Sequence, residues 1–429
     1  MHNTLARKSR LARNMARMHR MFPSEYGFLP ESWVLPEDMP DLEKRFDESG
    51  VAKTIYIAKP DAGTQGRGIF LTNQLDRIRK AASDREGLLV VQRYIAKPML
   101  IDGMKFDLRL YFLMASVLGS NGALQPRYFL MHDGLVRLCT TEYTPPSLDN
   151  IDRRCMHLTN YAINKKSKDF VQNEGDDDGA GSKRALRWFM EHIEEEFGTK
   201  EREKLWNKLK GLCVKMALAA HPSLEAEYGN VLPRDLSGGA MGCRCFELLG
   251  VDVMLDTKRR PFLIEVNHLP SFTCDSPLDE DIKSRAVQQT LDLCCPCDPG
   301  DRQVYEAAVA ARKRQGSNAS DAASNGRSGD SPLLNEGWYK DFERVYPVEP
   351  SRPKAAARFD AILARVREVF RPVMGSAMRR PTSSSSERQV SAAAGPGAAS
   401  ALASASAPSG ARPPRPPPSR FRPPQAGTP

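Results

Sequence analysis

The sequence predicts an α+β fold. Short apolar runs that read as strands pair into antiparallel hairpins, and helical stretches fall between them in a mixed order, not a regular strand–helix alternation. A third observation says where that fold ends. From about residue 376 the chain is mostly Ala, Ser, Pro, Gly and Arg, including "GPGAASALASASAPSG" and "RPPRPPPSRFRPP". Such a composition cannot bury enough apolar surface to offset its ordering entropy, so residues 376–429 are expected to be a disordered tail.

Taken in order, residues 5–21, "LARKSRLARNMARMHRM", are helical by propensity, with Leu5, Met15 and Met18 as a thin apolar stripe that Phe22-Pro23 ends. A Pro-rich loop through Pro30, Pro36 and Pro40 follows. "TIYIAKP" (54–60) reads as a strand, "DAGTQGRGIFLT" as a Gly-rich loop returning into a second strand, "DRIRKAA" as a helix and "LLVVQRYI" (88–95) as a strand. In "KFDLRLYFLMASV" (105–117) Phe106, Leu108, Leu110 and Phe112 alternate with Lys105, Asp107, Arg109 and Tyr111. That pattern predicts a half-buried strand with a charged face turned to a site. "PRYFLMHDGLVRLC" reads as a hairpin turning at His132-Asp133-Gly134, and residues 182–220 as helical. "CFELLGVDVMLD", a turn at "TKRR" and "PFLIEVNH" form another hairpin, and "DEDIKSRAVQQTLDLC" a closing helix.

The formal net charge of +9 lies at the two ends: the first twenty residues contain no acid, and the rest of the excess follows residue 300. An acidic partner is implied. Nucleic acid is set aside, because the core has no basic face interleaved with aromatics. The nine cysteines are scattered, the start is too basic for a secretory leader, and "LRLYFLMASVLG" is too short to cross a bilayer. The expectation is a reduced, intracellular, soluble protein without a membrane partner. "CCPC" at 294–297 lacks a second Cys/His pair at ligand spacing and reads as free thiols.

The chemistry is densest in the second hairpin. Glu265 and Asn267 stand two residues apart at the end of an apolar strand, so they share a face, and Asp252 lies on the opposing strand. Converging carboxylate and carboxamide oxygens suit a hard cation, Mg²⁺ with a bound phosphate first of all. Polar strand-end residues bonded to a loop would give the same pattern. In "AKPDAGTQGRGIF", Gly63, Gly66 and Gly68 free the backbone to approach phosphates, with Lys59 and Arg67 supplying charge. It is neither a Walker A loop nor a dinucleotide fingerprint. Lys105 and Arg109, on one strand face, suit a polyphosphate or a developing tetrahedral anion, or else form a salt-bridge ladder.

Together and in this order, "YIAKPDAGTQGRGIFLT", "VVQRYIAKPMLIDGMKFDLRLYFLM", "CMHLTNYAINKKS", "CFELLGVDVMLD" and "PFLIEVNHLPSF" resemble the tubulin tyrosine ligase-like family, whose catalytic core is an ATP-grasp fold. The "KPD…QGRGIF" loop looks most like the polyglutamylase branch. The resemblance implies a core at 51–298, after a basic helix and Pro-rich lead-in (1–50) and before a basic helical segment (299–375) like the family's microtubule-binding one. "YEAAVAARKRQ" (305–315) and "FERVYP" (342–347) look like remnants of that segment. It also implies an N-terminal lobe preceding the helix, expected to be missing here.

By position, the resemblance implies that Lys8, Lys59, Gln65 and Gly66 hold ATP phosphates, and that Gln92, Arg93, Tyr94 and Ile95 line the adenine pocket. Lys105 and Asp107 would bind nucleotide, and His157, Leu158, Thr159 and Asn160 would close over it. Arg109 would act catalytically with Lys105 and Glu265 on the transferred phosphoryl group. Asp252, Glu265 and Asn267 would bind Mg²⁺, and Arg137, Lys183 and Asn160 the incoming glutamate. The implied activity is ATP- and Mg²⁺-dependent ligation of free glutamate to glutamates in the acidic tails of tubulin. The enzyme would be a monomer acting on cytoplasmic microtubules and in cilia or basal bodies. An inactive microtubule- or nucleotide-binding relic and a tubulin glycylase are the competing readings.

Overall fold

Two antiparallel sheets supply the walls of one cleft in the computed structural model of the chain, which describes residues 2–48, 54–63, 65–118, 124–174, 177–231, 246–294 and 341–378. The smaller sheet has β1 (Ser32–Leu35), β2 (Tyr56–Pro60), β3 (Phe70–Thr72) and β4 (Leu89–Arg93) in the order β1-β4-β2-β3. Its period-two pattern sorts the side chains. Trp33, Leu35, Tyr56, Ala58, Leu89 and Val91 pack with Leu42 and Phe46 of α2 (Met39–Glu48) and Ile78 of α3 (Leu75–Ser83). Lys59 and Gln92, at the alternate positions, are turned to the cleft instead.

The larger sheet is built on two long strands, β6 (Met104–Leu118) and β7 (Leu124–Leu138). Its order is β10-β9-β6-β7-β11, with β5 (Leu100–Ile101) pairing β6 and β8 (Lys183–Ala185) pairing β7. Here β9 is Phe246–Leu255, β10 Pro261–Asn267 and β11 Phe342–Tyr346. Phe106, Leu108, Leu110 and Phe112 enter the main core with α1 (Lys8–Met21), α6 (Leu186–Phe197), α7 (Thr199–Val231) and α9 (Pro353–Met378). Tyr111, Leu113 and Ala115 pack on the other face against Leu278, Ile282 and Ala286 of α8 (Pro277–Cys294). Two short helices, α4 (Arg154–His157) and α5 (Tyr161–Asn164), sit beside the cleft.

Several expectations are corrected. The lead-in is not only a loop: Trp33, Val34 and Leu35 give it the edge strand β1, where flanking prolines remove no ladder bond the sheet needs. The strand at 105–117, expected to be half-buried, is buried on both faces: Lys105 and Asp107 line the cleft, and α8 covers Tyr111, Leu113 and Ala115. No hairpin turns at His132-Asp133-Gly134. β7 runs straight through, with its register against β6 shifted between Leu110 and Phe112. Gly134 allows this, since a Cβ there would stand 2.3 Å from the Arg109 carbonyl oxygen. Helix begins at Leu186, not 182, because Lys183–Ala185 is claimed by β7 as β8. "FERVYP" is a strand of the main sheet rather than a helical remnant: β11 pairs antiparallel with β7. Residues 305–315, the tail from 379 onward and Cys295–Cys297 lie outside the described residues, while Cys294 is buried at the end of α8. Among the described residues no helix is long and apolar enough to cross a membrane.

Candidate functional site: a buried cleft and two rows of charge

Sheet register assembles the site. On β10, Glu265 is paired with Asp252 of β9, and Asp252 is paired with Arg109 of β6, which gives one row across three strands. A second row runs from Asp107 of β6 to Arg137 of β7 to Lys183 of β8. The rows lie two residues apart on β6, so they share a face.

A bulge completes the first row. The β9–β10 register shifts between Leu263 and Glu265, so Leu263 fills the main core while Glu265 faces Asp252. Strict alternation would have put both on one face.

Asp252, Asp107, Arg109 and Arg137 of the rows satisfy one another. Arg109 grips Asp252 through Nε and through Nη2 at 2.9 Å, and Arg137 Nη2 reaches the same carboxylate at 2.8 Å. Arg137 also donates to both oxygens of Asp107, at 2.6 and 2.7 Å, and Thr159 Oγ1 donates to one of them. Burial works against an ionised Asp252, but the two guanidiniums outweigh it and hold its carboxyl at about 2. At Asp107 burial wins, and its pKa is raised despite Arg137.

Two lysines of the cleft, Lys59 of β2 and Lys105 of β6, are held differently. Lys59 Nζ donates to Gln92 Oε1 at 2.7 Å, and Gln92 in turn donates to Ser32 Oγ. Lys105 Nζ donates to the Tyr94 hydroxyl at 2.7 Å and the His157 carbonyl at 2.8 Å, and lies over the Tyr94 ring. Among the described residues neither ammonium has a carboxylate at ion-pair distance. Burial accordingly lowers both lysines to about 8. The same burial, reinforced by Lys105, lowers His157 to about 4, so its ring is neutral near pH 7.

The empty space of this cleft, counted out into open solvent, is about 630 Å³. Lys59, Gln92, Arg93, Tyr94 and Ile95 line one side of it. Lys105, Asp107, Arg137, Asp252 and Glu265 line another, and His157, Leu158, Thr159 and Asn160 a third. Lys8, Gln65, Gly66, Arg109, Lys183 and Asn267 do not line it. Lys8 sits at its mouth, donating to the Gly63 carbonyl at 2.9 Å with Glu265 3.7 Å away. The glycine loop bends at Gln65 and Gly66, both at positive φ, and a Cβ on Gly66 would stand 2.5 Å from Ile163. Lys183 pairs with Asp279 and lies over the Tyr161 ring at 4.0 Å, next to Arg137 in register but outside the cleft.

Residues 1–303 match the tubulin-tyrosine ligase family. The chain belongs to that family. It is 44% identical over 292 residues to the tubulin polyglutamylase ttll6 of Danio rerio, covering 68% of this chain and 34% of that protein. It is 42% identical over 294 residues to the human tubulin polyglutamylase TTLL13, covering 67% and 33%. It is 40% identical over 313 residues to a probable beta-tubulin polyglutamylase of Tetrahymena thermophila, covering 72% and 25%. The chain thus spans about a third or less of the length of these curated relatives.

Within this tubulin-tyrosine ligase domain, the donor set Asp252, Glu265 and Asn267 fits a hard divalent ion in its chemistry. The two carboxylates face one another across adjacent strands, and Asn267 Nδ2 lies 3.4 Å from Asp252 Oδ2. Among the described residues no three His, Cys, Asp or Glu side chains converge to hold a metal, so the third oxygen would have to be the Asn267 carboxamide.

Sequence reasoning missed the cleft's apolar walls and its supports. Ile57 and Met254 line the cleft two residues from Lys59 and Asp252, a signal that period-two reading could have supplied. Arg154 Nη2, which holds the Gly66 carbonyl at 2.7 Å, carries no such signal, since 88 residues separate the pair. Asp279 and Lys283, 2.7 Å apart beneath Lys183, look from sequence like ordinary helix-surface residues.

Proposed function

We propose that this domain ligates glutamate to glutamate side chains in the acidic tails of tubulin, consuming ATP. The observation that carries the reading is the pair of buried ammonium groups, Lys59 and Lys105, without acidic partners among the described residues in a cleft walled by Ile57, Ile69 and Met254. A buried cation held only by neutral groups costs free energy that an anionic ligand recovers. Apolar walls beside two cations suit a base joined to a polyphosphate. The relatives named as tubulin polyglutamylases support the choice of tubulin and glutamate.

In this reading Lys8, Lys59, Lys105 and the Gln65–Gly66 turn hold the phosphates. Gln92 to Ile95 frame the base, with Asp107 and residues 157–160 closing the other side. Asp252, Glu265 and Asn267 would hold Mg²⁺, which neutralises phosphate charge when bound. Arg109 is the catalytic guanidinium, poised beside the acidic row. The γ-carboxylate of the acceptor takes the terminal phosphoryl group and releases ADP. The amino group of free glutamate, oriented by Arg137, Lys183 and Asn160, then attacks the acyl carbon, and phosphate leaves as the isopeptide bond forms. Positioning is the protein's main contribution.

Residues 299–375 are proposed to engage the microtubule surface, with β11 and the following helix folded onto the core. The site of action is proposed to be cytoplasmic microtubules, axonemes and basal bodies, with the protein as a monomer.

The deciding experiment is incorporation of labelled glutamate into microtubules, with glycine and tyrosine in parallel. Glutamate-only labelling that disappears in Glu265→Gln, with an unchanged melting temperature, is the expected outcome. Full labelling by Glu265→Gln would sink the metal assignment. Labelling with glycine alone would replace glutamate as the substrate.

A further inference from the structure

The chain between Lys59 and Ile69 joins two residues that line the cleft, and it is anchored at two points by elements far away in sequence. The first anchor is α1. Lys8 Nζ donates to the Gly63 carbonyl at 2.9 Å, and the Asp61 carboxylate accepts the Ser9 backbone N–H at 2.8 Å, capping the first turn of α1.

The second anchor is Arg154, which opens α4. Its Nη2 donates to the Gly66 carbonyl at 2.7 Å, whereas the other donor to that oxygen, the Ile69 N–H, stands at 3.4 Å. The short, charge-assisted bond is the one that fixes the peptide. Gly66 is buried on the same segment of chain. A Cβ there would stand 2.5 Å from Ile163 Cδ1 and 3.1 Å from Asn160 Oδ1, and Asn160 itself lines the cleft. At positive φ and with no side chain, Gly66 offers only its backbone to be held.

The charges nearby leave Arg154 to this task. Asp152, the acid closest to it in sequence, is 3.4 Å from Arg77, whose guanidinium also lies over the Phe70 ring at 4.9 Å. Among the described residues Arg154 has no carboxylate at ion-pair distance, and its side chain is exposed. An exposed side chain bonded to a buried carbonyl adds little to the stability of the whole fold.

We infer that Arg154 is a positioning residue for nucleotide binding, holding the Gly66 peptide against the cleft wall of residues 157–160. It touches no ligand. The inference rests on the nucleotide reading of the cleft given above. It adds a residue outside the cleft that sets one of the cleft's borders.

The test compares Arg154→Met, which keeps an unbranched chain and removes every donor, with Arg154→Lys, which restores one cationic donor. Both are made in the full chain. Dissociation of a fluorescent ATP analogue with Mg²⁺ is followed by stopped flow, hydrogen exchange reads the amides of residues 65–69, and microtubule labelling gives kcat and the KM values. In Arg154→Met the nucleotide leaves about tenfold faster and the ATP KM rises by a similar factor, while kcat and the glutamate KM hold. The amides of 65–69 exchange faster, the melting temperature holds, and Arg154→Lys recovers most of the affinity.

Unchanged nucleotide dissociation in Arg154→Met would overturn the inference and leave the ligase reading intact. Equal defects in the Met and Lys variants would overturn it too, because one cationic donor suffices for a carbonyl. So would a fall in melting temperature without a change in ATP affinity, which would make the contact merely structural. Wild-type protein that binds nucleotide but labels no microtubules would defeat the ligase reading alone, and the dissociation rates would still decide the role of Arg154. Wild-type protein that binds no nucleotide would defeat both.

Discussion

The arginines and the lysines around the cleft hold their charges by opposite means. On the larger sheet, Arg109 and Arg137 are tied to Asp252 and Asp107 in bidentate pairs. Lys59 of the smaller sheet and Lys105, at the start of β6, rest instead on an amide, a phenol and a carbonyl. The first arrangement is paired internally before any ligand arrives, so it contributes to the fold as well as to the site. The second is left short of negative charge and contributes to binding. Cations around one cleft therefore differ in how much of their charge is left for a ligand.

The contrast breaks most sharply at Asp252. Asp252→Ala leaves two buried guanidiniums facing each other without their shared carboxylate, and about 3–5 kcal/mol of stability is lost. Urea unfolding measures this, and a loss below about 1 kcal/mol would mean that water already solvates the cluster.

His157 comes next. Its folded pKa, about 4, lies below the ordinary value of 6.5. The unfolded chain therefore binds a proton that the folded one refuses. The contribution is complete above pH 6.5 and is lost as pH falls toward 4, by on the order of 3 kcal/mol. His157→Asn removes that slope from the pH–stability curve.

Lys105→Met gives the smallest effect on folding, within about 1 kcal/mol, because removing a desolvated ammonium offsets the bonds lost. Nucleotide affinity nevertheless falls by about tenfold or more. In the wild type the same opposition shows with pH. Above about 8 the two lysines lose their protons, so ATP binding weakens while stability rises toward their unfolded pKa. Parallel loss of both properties would erase the distinction between the arginines and the lysines.

Much of this was legible in the chain. The strand 105–117, the hairpin 246–267 and the acid set Asp252, Glu265 and Asn267 follow from period two and short turns. What escaped depends on distant partners. Nothing local to Lys183 says that it belongs to a strand, because only β7 makes it one. Nothing local to "PFLIEVN" announces the bulge that turns Glu265 out of line with Leu263. The face with Lys105 and Tyr111 was expected to turn to a site, but alternation alone does not say that its later residues, Tyr111, Leu113 and Ala115, are covered by a helix. Lys59 and Gln92 were assigned to a nucleotide pocket from resemblance, but their mutual hydrogen bond spans two strands and required coordinates.

The strand Phe342–Tyr346 lies beyond residue 303, where the family match ends, yet it closes the outer edge of the main sheet on β7. Cutting the chain at the end of the match would strip that edge and leave the backbone of β7 as an open template for another molecule's strand, the usual route to aggregation. A nick within residues 295–340 is a different injury, since both fragments keep their pairing surfaces. The piece carrying β11 and the helix after it can then be supplied separately as a peptide. Recovery of a soluble, nucleotide-binding complex from the two fragments is the expected result.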